Sequence, residues 1–218
     1  MFSGSTDTTV KVWELSTLKV KHTFTGHTQQ VTTISRSHDN KMICSGSSDC
    51  SIKVWDVENL TCDTTINTGK DIRSVFWYRG MVFSGHLKTV LVWDIKKKKL
   101  VKELPGQDHW IRSILVANGY CFTAAQNIQI WDMGSFSCLK TLSQIKCGSI
   151  YCLGLYEDWL LAGTYEQKLL IWDTKTYEYV GALKHPGPIY ALAINGQRVY
   201  TGCYDHSIYE WDLRMLAY

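Results

Sequence analysis

Two sets of side chains in this sequence have the composition of a nucleophilic catalytic site. The first set is His27, Ser45, Asp49 and Trp55, and the second is His185, Thr201, Asp205 and Trp211. In a serine hydrolase an aspartate orients a histidine, and the histidine takes the proton of the attacking hydroxyl. That chemistry also needs an exposed nucleophile and an oxyanion site, whereas here the set occurs twice at corresponding positions beside a tryptophan. We therefore predict a structural role for both sets and no catalytic residue.

The same residue types can form a hydrogen-bonded chain. A carboxylate accepts from turn amides and from an imidazole, the imidazole passes the bond to a hydroxyl, and the hydroxyl accepts the indole N–H. Other copies of the pattern are broken. The first has Ser3, Asp7 and Trp13 but no histidine, and the fifth has Glu166 in place of the aspartate. The third and fourth copies show nothing comparable.

Histidines and cysteines do not have the spacing of a metal site. The seven histidines lie far apart and never pair with cysteine at ligand spacing. The eight cysteines contain no CxxC pair, and most lie in apolar runs: Cys44, Cys50, Cys62, Cys121, Cys138, Cys147, Cys152 and Cys203. We expect buried thiols in a reduced protein. Since glycine-rich phosphate loops are also absent, the sequence predicts no metal ion and no cofactor.

Composition excludes several classes of protein. The chain has 218 residues, 45% of them hydrophobic and 20% charged, which is a globular balance. A formal net charge of +3 is too small for a dedicated nucleic-acid binder. The N-terminus lacks the features of a signal peptide, and no apolar stretch approaches the roughly 20 residues of a membrane span. We expect a soluble, cytoplasmic protein with no membrane span and no nucleic-acid partner.

One motif recurs six times and indicates the elements that position these side chains. Each copy ends in a tryptophan followed by an acidic residue: Trp13-Glu14, Trp55-Asp56, Trp93-Asp94, Trp131-Asp132, Trp172-Asp173 and Trp211-Asp212. Successive tryptophans are 38 to 42 residues apart. Apolar and polar residues alternate within each period, which predicts four short strands, and in the second copy these cover residues 31–36, 42–45, 51–57 and 62–67. The sequence therefore predicts an all-β fold.

A four-stranded unit repeated every 40 residues or so is typical of a β-propeller blade. The six Trp-Asp or Trp-Glu pairs, with one intact Gly26-His27, resemble the WD-repeat propellers over essentially the whole chain. We expect one propeller domain over residues 1–218, with repeats ending near residues 14, 56, 94, 132, 173 and 212. The resembling propellers have seven blades. With about six blade units and partial first and last copies, the chain is either a six-bladed variant or, as we favour, an incomplete piece of a seven-bladed ring.

A closer resemblance lies in the second half of the chain. Its sequence there reads HWIRSILVANGYCFTAAQNIQIWDMGSFSCLKTL and, further on, GSIYCLGLYEDWLLAGTYEQKLLIWD. These segments are similar to the C-terminal propeller of a RING-type ubiquitin ligase of the TNF-receptor-associated factor family. The resemblance implies that any ligase activity would come from an N-terminal RING module, which this chain lacks.

Partner-binding residues are expected at three columns of equivalent positions in the repeats. Two columns flank the first apolar residue of each innermost strand, and the third precedes the turn acid. Their aromatic and arginine members are Arg73, Trp110, Arg112, Tyr151, Tyr165, Tyr190 and Tyr204. In the resembling family these columns converge at one rim of the central channel, and Trp, Tyr and Arg dominate interface hot spots. The alternative is that residues such as Trp110 and Tyr190 pack into neighbouring blades and only stabilise them.

These observations favour a non-catalytic scaffold that binds a protein or peptide on one face of the propeller. Two alternatives stay open: an architectural subunit of a multiprotein complex, and part of a ubiquitin ligase whose RING module lies outside this chain. Blades that lack a strand expose unpaired N–H and C=O groups, so self-association through these edges is also expected.

Overall fold

Antiparallel β-strands make up almost all of the structure. The computed structural model describes residues 1–143 and 148–216, which form strands β1 to β22 and a short 3-10 turn at Leu213–Leu216. The described strands pair into six antiparallel sheets. The expected all-β class with six blade units of the propeller type is thereby confirmed. Cys147 lies outside the described residues.

The strands fall in two compact units, Met1–Val116 and Ala117–Tyr218. In the first unit, sheet one has the order β1–β2–β3, sheet two β4–β5–β6–β7 and sheet three β11–β10–β9–β8. Their strands are β1 (Phe2–Gly4), β2 (Val10–Glu14), β3 (Lys19–Phe24), β4 (Val31–Arg36), β5 (Met42–Ser47), β6 (Ser51–Asp56), β7 (Thr61–Asn67), β8 (Ser74–Tyr78), β9 (Met81–Gly85), β10 (Leu87–Asp94) and β11 (Lys99–Trp110).

The other three sheets lie in the second unit, except that β12, the first strand of sheet four, lies in the first unit up to Val116. The orders are β12–β13–β14–β15, β16–β17–β18–β19 and β20–β21–β22. Their strands are β12 (Ser113–Ala117), β13 (Tyr120–Ala124), β14 (Ile128–Asp132), β15 (Cys138–Leu142), β16 (Ile150–Tyr156), β17 (Trp159–Thr164), β18 (Lys168–Asp173), β19 (Tyr179–Lys184), β20 (Ile189–Asn195), β21 (Arg198–Cys203) and β22 (Ile208–Asp212). The assignment of residues 1–218 to one domain stays a prediction.

The second strand of a sheet is apolar on both of its faces because each face packs on a different neighbour. On β5, Ile43 belongs to a core with Val10 and Val12 of sheet one. The next residue, Cys44, belongs to a core with Ile72 and Val75 of sheet three or the segment leading into it. Successive side chains of a strand point to opposite faces. Alternation along β5 therefore feeds two cores, and nearly the whole strand is buried.

Acidic residues that follow the tryptophans cap the next hairpin turn. Asp56 Oδ1 accepts hydrogen bonds from the backbone amides of Glu58 and Asn59, at 2.9 and 2.8 Å. Asp132 accepts in the same way from Gly134 and Ser135. These amide hydrogen bonds hold the pKa of Asp56 below its ordinary value. An ionised aspartate at this place satisfies turn donors that no strand partner reaches.

Two glycines allow neighbouring sheets to approach unusually closely. A β-carbon added at Gly46 of β5 would lie 2.5 Å from Ile72 Cγ2 and 2.9 Å from Val75 Cγ1. In the second unit, a β-carbon at Gly163 of β17 would lie 2.5 Å from Cys152 Sγ and 2.6 Å from Ile189 Cγ2. Such distances are below van der Waals contact. The Ser-Gly and Ala-Gly pairs before the turns are thus required by packing between sheets.

Cysteines differ in exposure more than the sequence suggests. Cys44, Cys121 and Cys152 are buried, and burial raises the pKa of Cys44 and Cys152 to about 12. Cys62 and Cys138 are exposed on β7 and β15, contrary to the expectation of buried thiols. Both lie on the last strand of their sheet, where one face meets solvent. Within the described ranges, no helix is long and apolar enough to span a bilayer.

Replacing Gly46 by alanine should destabilise the protein by about 1–3 kcal/mol, because the added methyl group overlaps side chains of the adjoining sheet. Gly181→Ala is the matched control, since a β-carbon there meets nothing within 4 Å. Urea unfolding of both variants measures the difference. Equal free energies of unfolding for the two variants would contradict the close packing at Gly46.

Candidate functional site

The first predicted set forms a continuous hydrogen-bonded chain inside sheet two. Trp55 Nε1 donates to Ser45 Oγ at 2.9 Å, and Ser45 Oγ lies 2.8 Å from His27 Nε2. His27 Nδ1 lies 2.7 Å from Asp49 Oδ2, which also accepts from the Thr28 amide. With the proton on Nδ1 directed at the carboxylate, Nε2 accepts from the serine hydroxyl, and every polar atom in the chain is paired.

Burial and hydrogen bonding fix the charges in this chain. Burial lowers the pKa of His27, and this effect outweighs the opposing influence of Asp49, so the imidazole is neutral at neutral pH. Burial alone would raise the pKa of Asp49, but hydrogen bonds from Ser51, the Thr28 amide and His27 lower it to about 2. A neutral imidazole therefore bridges an ionised carboxylate and a hydroxyl.

The second predicted set joins only three of its four members. Trp211 Nε1 donates to Thr201 Oγ1 at 3.0 Å, and Thr201 Oγ1 lies 2.8 Å from His185 Nε2. Asp205 does not complete the chain: its carboxylate accepts from the Tyr209 hydroxyl at 2.6 Å, and the buried Nδ1 of His185 has no hydrogen bond to it. The cause is the tyrosine two residues before Trp211, which occupies the carboxylate that the histidine would use.

A further chain in the third repeat was missed by the sequence comparison. His86 Nε2 lies 2.8 Å from Ser84 Oγ, which accepts the indole N–H of Trp93 at 3.1 Å. His86 Nδ1 donates to the backbone carbonyl of Asp71 instead of a carboxylate. This histidine follows the serine by two residues, whereas His27 precedes its serine by 18. A Ser-x-His directly before the third strand was the available signal.

In two further repeats the tryptophan is anchored in the same way. Trp13 Nε1 donates to Ser3 Oγ at 2.7 Å, and Trp131 Nε1 donates to Thr123 Oγ1 at 3.0 Å. The common element is therefore an indole N–H bonded to a hydroxyl on the preceding strand, and the histidine is an addition to it.

The hydroxyls of these chains are placed for structure and not for catalysis. Ser45, Ser84 and Thr201 are fully buried, so a substrate has no access to them. Each hydroxyl is also committed to an indole and an imidazole. Over the described part of the chain, no three His, Cys, Asp or Glu side chains cluster at metal-binding distance.

In the first unit, the candidate binding residues form a stacked cluster. The Arg73 guanidinium lies 4.9 Å from the ring centre of Trp110 and 2.7 Å from Asp71 Oδ2. Ser74 Oγ donates to the Ile111 carbonyl at 2.9 Å, so the starts of β8 and β12 are adjacent and Arg73 and Arg112 occupy equivalent positions on them. The four side chains of this cluster are partly buried: Asp71, Arg73, Trp110 and Arg112. Asp71, which orients Arg73, was not among the predicted residues.

In the second unit, four candidate tyrosines and one histidine form a continuous row of aromatic rings, here called the tyrosine ladder: Tyr165, Tyr151, Tyr190, Tyr204 and His206. Ring centres of Tyr151 and Tyr190 are 4.7 Å apart in an edge-to-face arrangement. The other neighbouring ring centres are also close: 6.4 Å separates Tyr151 from Tyr165, 6.1 Å separates Tyr190 from Tyr204, and 6.5 Å separates Tyr204 from His206.

The ladder is built twice from the same two positions of the repeat. Tyr151 and Tyr190 follow the first residue of the inner strands β16 and β20. The turn residues Tyr165 and Tyr204 are held by backbone hydrogen bonds to Ser149 O and Pro188 O, at 2.9 and 3.0 Å. Because the repeat places equivalent residues side by side, pairs 39 residues apart in sequence meet in space.

The ladder is solvent-facing. Side chains of Tyr165, Tyr190 and Tyr204 are 52%, 41% and 66% exposed, and Tyr151 is half-buried. Tyr190 packs on Tyr151 of the neighbouring sheet and is also exposed to solvent, so binding and stabilisation both stay open as roles for this side chain. His206 was not predicted as part of the set, because it lies outside the three columns.

A shallow cavity of about 620 Å³ lies elsewhere in the second unit, lined by Asn195, Gln197 and Tyr200 among others. Its charged groups are already paired, Arg198 with Glu210 and Arg214 with Asp212. The charged side chains of the cavity are therefore not available to a ligand, and Tyr200 is the one aromatic residue among the described residues of its lining.

Trp55→Ala should lower the free energy of unfolding by about 3–5 kcal/mol, because it removes a side chain that is 2% exposed and leaves the Ser45 hydroxyl without its indole donor. Trp211→Ala should cost less, since Trp211 is half-buried. Urea denaturation compares the two. The anchor assignment is wrong if removing Trp55 costs no more than removing the exposed Leu18 side chain.

Stability should fall on acidification below about pH 6.5, because the lowered pKa of His27 means that the unfolded chain takes up a proton there more readily than the folded one. The contribution is fully present above the unfolded value and is lost as pH falls. His27→Gln should make the decline between pH 7 and 5 shallower, while His86 and His185, whose pKa values burial also lowers, remain in both proteins. Parallel pH curves for wild type and variant would contradict this assignment.

Comparison with known proteins supports the repeat assignment. The model of the family described as "WD domain, G-beta repeat" matches residues 18–56 and 177–212. The chain is 36% identical over 170 residues to E3 ubiquitin-protein ligase TRAF7 of Mus musculus, covering 76% of this chain and 28% of that protein. It is 24% identical over 199 residues to Autophagy-related protein 16 of Arabidopsis thaliana, covering 85% and 39%.

A third relative is WD repeat-containing protein srw1 of Schizosaccharomyces pombe, at 25% identity over 237 residues, or 96% of this chain and 40% of that protein. The chain thus spans well under half the length of the relatives it matches. Six antiparallel sheets, tryptophan anchors bonded to strand hydroxyls and these matches agree on one conclusion. The chain carries WD repeats in a fold of the β-propeller class, and it resembles TRAF7.

Proposed function

We propose that the chain is a non-catalytic interaction scaffold that binds a protein or peptide through its exposed aromatic and arginine residues. The observation that carries the proposal is the tyrosine ladder. Three of its rings are more than two fifths exposed although they touch other aromatic rings. Contiguous exposed aromatic area on a soluble domain is a marker of an interaction site, and tyrosine combines large contact area with low conformational entropy.

The cluster of Arg73, Trp110 and Arg112 supplies a second candidate surface in the first unit. The Arg73 guanidinium is oriented by Asp71 and by the Trp110 ring, so Arg73 loses little side-chain freedom when a ligand binds. The buried hydroxyl–imidazole chains support the scaffold from within and take no part in binding.

Resemblance to an E3 ubiquitin-protein ligase supports a finer proposal, that this scaffold is the recognition part of a ubiquitin ligase or signalling assembly. WD-repeat folds are generally non-catalytic. Ligase chemistry would therefore be supplied by a RING module, while the sheets described here hold the partner. The cytoplasmic location, the single domain and the incomplete ring stay predictions.

Peptide display on the immobilised 218-residue chain tests the binding function. Peptides selected by the wild type should bind the double variant Tyr165→Ser/Tyr204→Ser at least about tenfold more weakly, because two exposed ladder rings are lost. Tyr179→Ser is the matched control, since Tyr179 is also 41% exposed but lies outside the ladder. Arg112→Ala, assayed in parallel, reports on the first-unit cluster.

Circular dichroism of each variant separates loss of binding from loss of folding. The proposed function is overturned if every selected peptide binds wild type, ladder variant, Arg112→Ala and control with equal affinity, or if no peptide is selected at all.

A further inference from the structure

The turns that carry the tyrosine ladder hold acidic residues and no lysine or arginine. Together with the first two residues of β16 and of β20, they cover residues 148–151, 165–167, 186–190 and 204–207, in which Glu166 and Asp205 are the acidic residues. Each acid directly follows a ladder tyrosine of the turn. The described lysines closest to these turns in the sequence are Lys168 and Lys184, which lie opposite each other on β18 and β19.

Asp205 keeps its negative charge beside the ladder. The hydrogen bond from the Tyr209 hydroxyl at 2.6 Å, together with the Ser207 amide, lowers the pKa of its carboxyl group. Glu166 is exposed and lies next to Gly148, where a β-carbon would come within 3.2 Å of Glu166 Oε1. Each of the two tyrosine pairs thus has an acidic residue next to its turn tyrosine in the chain, Glu166 after Tyr165 and Asp205 after Tyr204.

The ring geometry adds a second attraction for positive charge. Tyr190 stands at 87° to Tyr151 and at 72° to Tyr204, so the ladder consists of rings in crossed orientations and not of parallel, stacked rings. The face of an aromatic ring carries partial negative charge and attracts guanidinium and ammonium groups. Carboxylates and ring faces at the same place reinforce each other.

We propose that the tyrosine ladder binds arginine or lysine side chains of an extended segment in a partner protein. This inference rests on the proposed function and names the chemistry of its ligand. The repetition of tyrosine pair and acid in two consecutive sheets provides for two cationic side chains on one segment.

Whole-molecule electrostatics does not by itself favour such a ligand. The chain has a formal net charge of +3, so the long-range field repels a basic peptide. Binding of a cationic peptide therefore requires a local site, which makes the test specific.

Fluorescence polarisation with three labelled peptides provides the test: (Gly-Arg)4, (Gly-Lys)4 and the neutral isostere (Gly-citrulline)4. Wild type should bind the arginine peptide at least about tenfold more tightly than the citrulline peptide, because removing the charge removes both attractions. Added salt should weaken the arginine peptide and leave the citrulline peptide unchanged.

Variants of the ladder identify the groups responsible. Tyr204→Leu, which keeps apolar area but removes the ring, should weaken the arginine peptide about threefold, whereas Tyr204→Phe should bind like wild type. Glu166→Gln should also weaken it about threefold. Glu157→Gln and Tyr179→Leu are exposed controls outside the ladder and should have no effect.

Equal affinities for arginine and citrulline peptides, or equal effects of Glu166→Gln and Glu157→Gln, would overturn the cation assignment. If ladder variants still weaken peptides from the display selection, the proposed function survives that outcome. If neither these peptides nor any selected peptide responds to the ladder variants, both proposals fail.

Discussion

The hydrogen bond between a tryptophan indole and a hydroxyl on the preceding strand recurs in five of the six described sheets, and the polar chains within the sheets depend on it. A tryptophan fills the space between sheets, but its N–H must find an acceptor once it is buried, and an unpaired buried donor costs about 1–3 kcal/mol. Ser45, Ser84 and Thr201 supply that acceptor from the neighbouring strand. The hydroxyl then has a proton to donate, and a histidine receives it. The strand register therefore determines where the hydroxyl lies, and the hydroxyl determines where the histidine must lie.

This order explains which parts could be predicted from sequence. The 38 to 42 residue period and the alternation within it were sufficient for the all-β class and the six sheets, because strand pairing and burial follow directly from them. The second-repeat chain was predicted because His27 lies at the usual distance before Ser45. His86 was missed because imidazoles can reach the same hydroxyl from either side of the strand. The Asp205 link failed because Tyr209, two residues before the tryptophan, competes for the carboxylate.

The candidate site shows the same limits. Repeat alignment placed Tyr151 and Tyr190 at equivalent positions, which follows from the period. It did not give their edge-to-face contact at 4.7 Å or the participation of His206, because ring orientations depend on packing between sheets. Asp71 belongs to one of the three columns, but its ion pair with Arg73 could not be predicted, because a carboxylate that orients an arginine two residues away has no sequence signature.

Close packing at Gly163 has a consequence for the ladder. A β-carbon here would overlap Cys152 and Ile189, the residues that directly follow Tyr151 and precede Tyr190. With no side chain at position 163, the two inner strands are held at a fixed separation behind the rings, and the rings inherit it. The spacing of the rings is therefore set before any ligand arrives, and a ligand of the proposed class would be selected by the distance between the side chains that it presents.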